Sequence, residues 1–184
     1  MNYELMYQLI RSRRRSVGIR IEDSGEIIVR APLRMPEREI RRVLESKRSW
    51  IEKTLKKISD RPQLPKLTAE EVKVLADRAL KEIPPRAAIR AKQIGVTYGR
   101  ITIRNQKTRW GSCSAKGNLN FNCLLMLCPE DVLDYVIVHE LCHRKELNHS
   151  PRFWAEVEKI LPDYKQPLKW LKNEGQGIIN RIQN

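Results

Sequence analysis

Residues 139–143 read His-Glu-Leu-Cys-His, and His149 follows them. These are the only 3 histidines among 184 residues, and their clustering constrains the chain more than any other feature. On a helix, positions four apart stack on one face, so His139 and His143 would offer two neutral nitrogen donors to one point. Glu140 would lie about 100° round from His139. From there it reaches a water on a metal without being aimed at the metal itself. Two ligands and a general base at this spacing predict a zinc hydrolase. The competing explanation is a buried helix whose histidines pack or pair without metal.

The surrounding residues predict the helix independently. Pro129-Glu130-Asp131 opens it, with proline at a favoured first-turn position and acids near the positive end of the dipole. Val132, Leu133, Val136, Ile137 and Leu141 repeat at helical spacing. Arg144 and Lys145 fall in the expected last turn, and Asn148 is suited to a left-handed residue beyond it. Ser150-Pro151 predicts the cap and first residue of the next helix. His149 is therefore expected on a short turn, folding back as third ligand and leaving a fourth position open to water.

The chain carries 36 Lys+Arg against 22 Asp+Glu, a formal charge of +14. Such a charge favours polyanionic partners, nucleotide or nucleic acid among them. No basic-then-apolar leader is evident and no apolar run is long enough to span a bilayer, so a cytoplasmic protein without a membrane partner is expected. Cys113, Cys123, Cys128 and Cys142 form no C-x-x-C pair and read as reduced thiols.

Along the chain, residues 3–31 predict β structure. Val17, Ile19 and Ile21 alternate with polar neighbours, Asp23-Ser24-Gly25 turns, and Ile27-Ile28-Val29 returns. Arg11-Ser12-Arg13-Arg14-Arg15 reads as a charged loop or edge, or as an anion-binding patch. One long basic helix is expected from Pro36 to about Ile58, with Ile40, Leu44, Trp50 and Ile51 in its apolar stripe. The Pro-containing stretch at 61–65 suggests a soft boundary between an N-terminal unit, 1–61, and a catalytic unit, 62–184. Thr68-Ala69-Glu70-Glu71 resembles a capping box, opening a helix that carries Val72, Leu75, Leu80 and Ile83. Pro84-Pro85 is expected to interrupt it. Strand character returns at Val96 and Ile101-Thr102-Ile103, residues 107–117 read as a polar loop, and Asn118–Asn122 alternates cleanly. Phe153, Trp154, Val157, Ile160 and Leu161 predict an amphipathic helix, followed by a helical tail.

Arg109-Trp110-Gly111-Ser112-Cys113, the Asn118–Asn122 strand, and His139–His143 followed by Asn148-His149-Ser150-Pro151-Arg152-Phe153-Trp154 together resemble the YgjP-like zinc metallopeptidase family, related to SprT-like and minimal H-E-x-x-H peptidases. That resemblance implies Zn²⁺ held by His139, His143 and His149, with Glu140 as catalytic base. It departs from the metzincins, since Glu146 stands where they have glycine and every methionine precedes the motif.

The expected fold is α+β and zincin-like, a small twisted sheet packed on helices beside the motif helix. Peptide hydrolysis of a polypeptide substrate is the leading reading. Arg109 is a candidate for stabilising transition-state charge, through the family motif and its loop setting. Asn120 is a candidate substrate contact, on the supposition that the Asn118–Asn122 strand is an exposed edge to which a peptide adds. Two other functions stay open. One is a metal-dependent nucleoside triphosphate pyrophosphatase, an activity also attached to YgjP-type proteins, although there is neither a Walker-type loop nor an evident carboxylate cluster for Mg²⁺. The other is a nucleic-acid-associated factor with a zinc site.

Overall fold

The structure is a computed structural model describing residues 5–22, 24–60 and 64–182. The Asp23 turn position and residues 61–63 of the expected linker lie outside the described residues. The chain divides into two compact units, Met1–Pro62 and Gln63–Asn184.

In the first unit the alternating apolar residues form β1 (Gln8–Ser12), β2 (Gly18–Ile21) and β3 (Ile27–Pro32). β3 is central, parallel to β1 and antiparallel to β2. Arg11 belongs to β1, and its guanidinium donates to the carbonyls of Pro32, Leu33 and Met35, which ties the strand to the chain leaving β3. The expected single helix is two, α1 (Glu37–Ser46) and α2 (Arg48–Ser59), separated at Lys47 with φ −108° and ψ 5°. A straight helix of that length would run about 33 Å, past the end of strands about 20 Å long. The break lets Ile40, Leu44 and Ile51 share one core with Ile27, Val29 and Ala31. Trp50, expected in the apolar stripe, is 47% exposed.

The second unit opens with α3 (Ala69–Ile94), whose capping box forms as expected: Glu71 N–H donates to Thr68 Oγ1, and Thr68 N–H to the Glu71 carboxylate. Pro84-Pro85 does not interrupt it. Prolines inside a helix cost about 3 kcal/mol or more. Here the helix is supported by a buried stripe at four-residue spacing: Leu75, Ala79, Ile83, Ala87 and Ala91. The alanines admit a close neighbour, α4 (Glu130–Cys142), against which α3 packs. Arg86 bridges to Glu130 and Asp134, and Arg90 to Asp134, across that contact. Leu80, expected on the apolar stripe, is exposed instead.

Three strands follow: β4 (Ile101–Arg104), β5 (Gly111–Cys113) and β6 (Leu119–Asn122). β6 lies between the other two, parallel to β4 and antiparallel to β5. β5 falls within the stretch expected to be loop. It is short, and Gly-Ser-Cys has neither alternation nor high strand propensity, so its pairing comes from β6 rather than from its own sequence. A 3₁₀ turn over Cys123–Leu127 leads into α4. Then come α5 (Pro151–Ile160), α6 (Lys165–Trp170), a π-helical turn over Leu171–Gly175, and α7 (Gln176–Ile179). The buried faces of α3 and α4, with Leu119, Phe121, Phe153 and Ile179, form the second core. This is the expected α+β arrangement of small sheets packed on helices.

Asn122, at the end of the alternating strand, does not face solvent. It is fully buried, its amide donating to the carbonyls of Gln106 at 2.6 Å and Arg109 at 3.1 Å, while its oxygen accepts from Leu124 N–H at 3.1 Å. It thereby fixes the loop that enters β5. Asn122→Ala should cost roughly 2–4 kcal/mol, because these groups would lose their partner. A urea-unfolding difference below about 1 kcal/mol would contradict this role.

Candidate metal centre

α4 carries the motif. Pro129 occupies its N-cap position, Glu130 and Asp131 lie in the first turn, and Val132, Leu133, Val136, Ile137 and Leu141 are buried as the periodicity requires. The helix ends at Cys142, one residue before His143, which keeps near-helical angles as the cap. His139 and His143 therefore stay on one face. Arg144 and Lys145, expected in the last turn, follow it. Arg144 donates to the Thr97 carbonyl at 3.0 Å and Lys145 pairs with Glu156 at 2.6 Å, so both fasten the end of the motif. Asn148 is not left-handed, as no described residue other than glycine has positive φ. Its side-chain oxygen accepts from Ser150 N–H at 3.2 Å, a local turn that holds His149. Ser150 caps α5 as predicted, accepting from Phe153 N–H.

The three imidazoles converge. Their candidate ligand atoms lie within 4.8 Å of one another, and the Nε2 atoms of His139 and His149 are 3.0 Å apart. Two tetrahedral zinc ligands at about 2.0–2.1 Å from the metal would sit about 3.3 Å apart. Two imidazole lone pairs facing at such a distance require a proton or a cation between them. The outer nitrogens of His139 and His143 are already engaged. His143 Nδ1 is 3.0 Å from the Glu146 carbonyl, which makes Nδ1 the donor and leaves Nε2 its lone pair. His139 Nδ1 is 3.3 Å from the Tyr135 hydroxyl. Such outer bonds fix the tautomer and orientation of metal-binding histidines. Burial, reinforced by His143 and His149, pushes the His139 pKa down to about 3, and burial also lowers that of His143. Neutral imidazole is the form that binds metal. The donor set thus fits a zinc ion.

Aromatic rings from α5 frame the cluster. Phe153 stacks on His143 with centroids 4.6 Å apart, and Trp154 stacks on His149 at 5.8 Å. Cys142 points into the core, fully buried.

Glu140 is 6% exposed and lies against β5. A Cβ on Gly111 would come within 2.7 Å of Glu140 Cγ and Oε1, so only glycine admits the carboxyl there. Burial pushes the Glu140 pKa up to about 8, against the opposing influence of the Arg109 charge and the Cys113 amide. Arg109 is exposed, on the loop that Asn122 fixes. Asn120 lies elsewhere in the scheme than expected. β6 is paired on both sides and cannot accept an added strand, and the Asn120 amide donates to Ser112 Oγ at 3.2 Å. The strand beside Glu140 with a single partner among the described residues is β5. Gly111, Phe153 and Trp154, all within the sequence motifs, supply the close approach to Glu140 and the rings that frame the histidines. Tyr135 lies one turn before His139, the spacing at which two side chains on a helix meet.

A family profile described as YgjP-like, metallopeptidase domain, matches residues 15–75 and 66–174. The chain belongs to the YgjP-like family. It is a metallopeptidase of that family, and the match spans residues of both units. Two solved structures of metallopeptidase zymogens are similar in part. Abylysin of Pyrococcus abyssi is 25% identical, covering 49% of this chain and 92% of its own, with a TM-score of 0.45. Jannalysin of Methanocaldococcus jannaschii is 21% identical, covering 48% and 94%, with a TM-score of 0.42. No curated protein matches the chain. Among the described residues of this YgjP-like protein, no helix is long and apolar enough to cross a membrane.

Proposed function

We propose that this YgjP-like metallopeptidase uses zinc held by His139, His143 and His149, with Glu140 as general base. The observation that carries the reading is the convergence of three imidazoles, those of His139 and His143 held through their outer nitrogens, beside a buried carboxyl one residue along the same helix. Bound there, zinc supplies Lewis-acid polarisation of the scissile carbonyl and a more acidic attacking water. Glu140 accepts the proton of that water on its carboxylate and delivers it to the leaving nitrogen. Its low exposure raises its affinity for the proton, which suits a base that must later act as an acid. Arg109, whose charge acts on Glu140, steadies the negative charge that develops on the carbonyl oxygen. An extended peptide pairing with the outer edge of β5 would run past Glu140.

Metal analysis of protein purified without added zinc should give one zinc per chain. His149→Ala should weaken zinc binding by more than about 100-fold, since losing only an outer partner of a ligand already costs about 10–100-fold. Unchanged affinity would remove His149 from the ligand set. A panel of unfolded proteins, short peptides and nucleoside triphosphates, with and without chelator, tests the reaction. Metal-dependent peptide cleavage is expected; cleavage confined to a triphosphate would overturn the reading.

A further inference from the structure

Beside Glu140 lies a pocket of about 320 Å³, walled by Trp110, Val136, Leu168 and Leu171. Glu140 and His139 form part of the same lining, so whatever fills it sits next to the reacting bond. The volume is at the lower end of ligand pockets, which run to about 1,000 Å³. It suits one side chain rather than a nucleotide, whose phosphates would also need several cations. Only one basic residue lines it, Lys172, and that residue is exposed.

The walls are built rather than incidental. Leu171 and Lys172 belong to the π-helical turn, a local irregularity that recurs at functional sites. Gly175 closes that turn, and a Cβ there would lie 3.1 Å from Trp110 Cζ2. The turn therefore seats the Trp110 ring and supplies the facing wall. Val136 is one turn before Glu140 on α4, which fixes the pocket relative to the proposed base.

We propose that this pocket selects the peptide bond to be cut, by taking a large apolar side chain from one of the two residues that share it. The inference rests on the assignment of Glu140 as the base of peptide hydrolysis. Apolar walls reward Phe or Leu, and the cation at the rim opposes Lys or Arg. Adding or removing one methylene in such a pocket changes selectivity by about 10–200-fold. A Phe-for-Ala exchange at the selected position should therefore change kcat/KM by at least roughly 50-fold.

The test is cleavage-site profiling of a mixed peptide library by the zinc-loaded enzyme, with Leu171→Trp and Leu168→Trp as pocket-filling variants. Both positions are half-buried, and retained thermal unfolding would show that each variant folds. Wild type should show a preference for large apolar residues on one side of the cut, and at least one filling variant should shift it to Ala or Gly. In parallel, calorimetric titration of inactive Glu140→Gln with peptides differing only in Phe or Ala at that position should favour Phe by at least roughly tenfold. Peptide cleavage with no preference, a preference unmoved in both folded variants, or equal binding of the two peptides overturns the pocket assignment alone. Absence of any peptide cleavage by wild type overturns the assignment of the reaction, and the pocket's role with it.

Discussion

Glu140→Gln should lower kcat by about 10²–10⁴-fold, the usual contribution of a positioned general base, while zinc stays bound at one per chain. Glutamine matches glutamate in shape, so the space beneath Gly111 still accommodates it. What it lacks is a site for the proton of the attacking water. The amide is also neutral in a buried setting that disfavours the charged carboxylate, so no loss of fold is expected. Steady-state kinetics and metal analysis on the same preparation decide the matter. Activity within about threefold of wild type would refute the general-base role. Loss of zinc together with activity would show instead that Glu140 supports the ligand set.

The parts of this arrangement legible in the sequence are those encoded by short-range pattern. The register of Val132 to Leu141, the Thr68–Glu71 box and the Ser150-Pro151 cap each depend on residues within one or two turns, and each forms as expected. Buried Leu119 and Phe121 likewise followed from alternation. The rest depends on partners distant in sequence. β5 has no strand signal of its own and exists through pairing with β6. Without β5, β6 reads as an edge strand and Asn120 as a substrate contact, whereas pairing on both sides rules that out. The Lys47 break answers to the small size of a sheet that no local window reveals. The uninterrupted α3 depends on how closely its alanine-rich face meets α4. Around the three imidazoles, the shared helix face of His139 and His143 was legible by spacing, whereas the Glu146 carbonyl and the Phe153 ring that hold His143 were not.

Gly111 is where that tertiary dependence bears most directly on catalysis. Gly111→Ala should lower kcat by about 10²-fold, the scale of a 1 Å misplacement of a reacting group. The added Cβ would lie 2.7 Å from Glu140 Cγ and Oε1 and 3.0 Å from Cδ. The strand cannot easily withdraw, since Gly111 is paired opposite Phe121, which is fully buried. Nor can α4, whose neighbours Val136, Ile137 and Leu141 lie in the core. The carboxyl is the group left to rotate away. Gly111 does not have positive φ, so alanine brings no backbone strain of its own and the effect should pass through Glu140. A double-mutant cycle reads this directly. In the Glu140→Gln background, Gly111→Ala should reduce the residual kcat by less than about threefold, because the base it displaces is already gone. Zinc content should be unchanged in all four proteins. A wild-type kcat in Gly111→Ala would show that the site absorbs the methyl group. A full 10²-fold loss in both backgrounds would show that Gly111 acts on something other than Glu140.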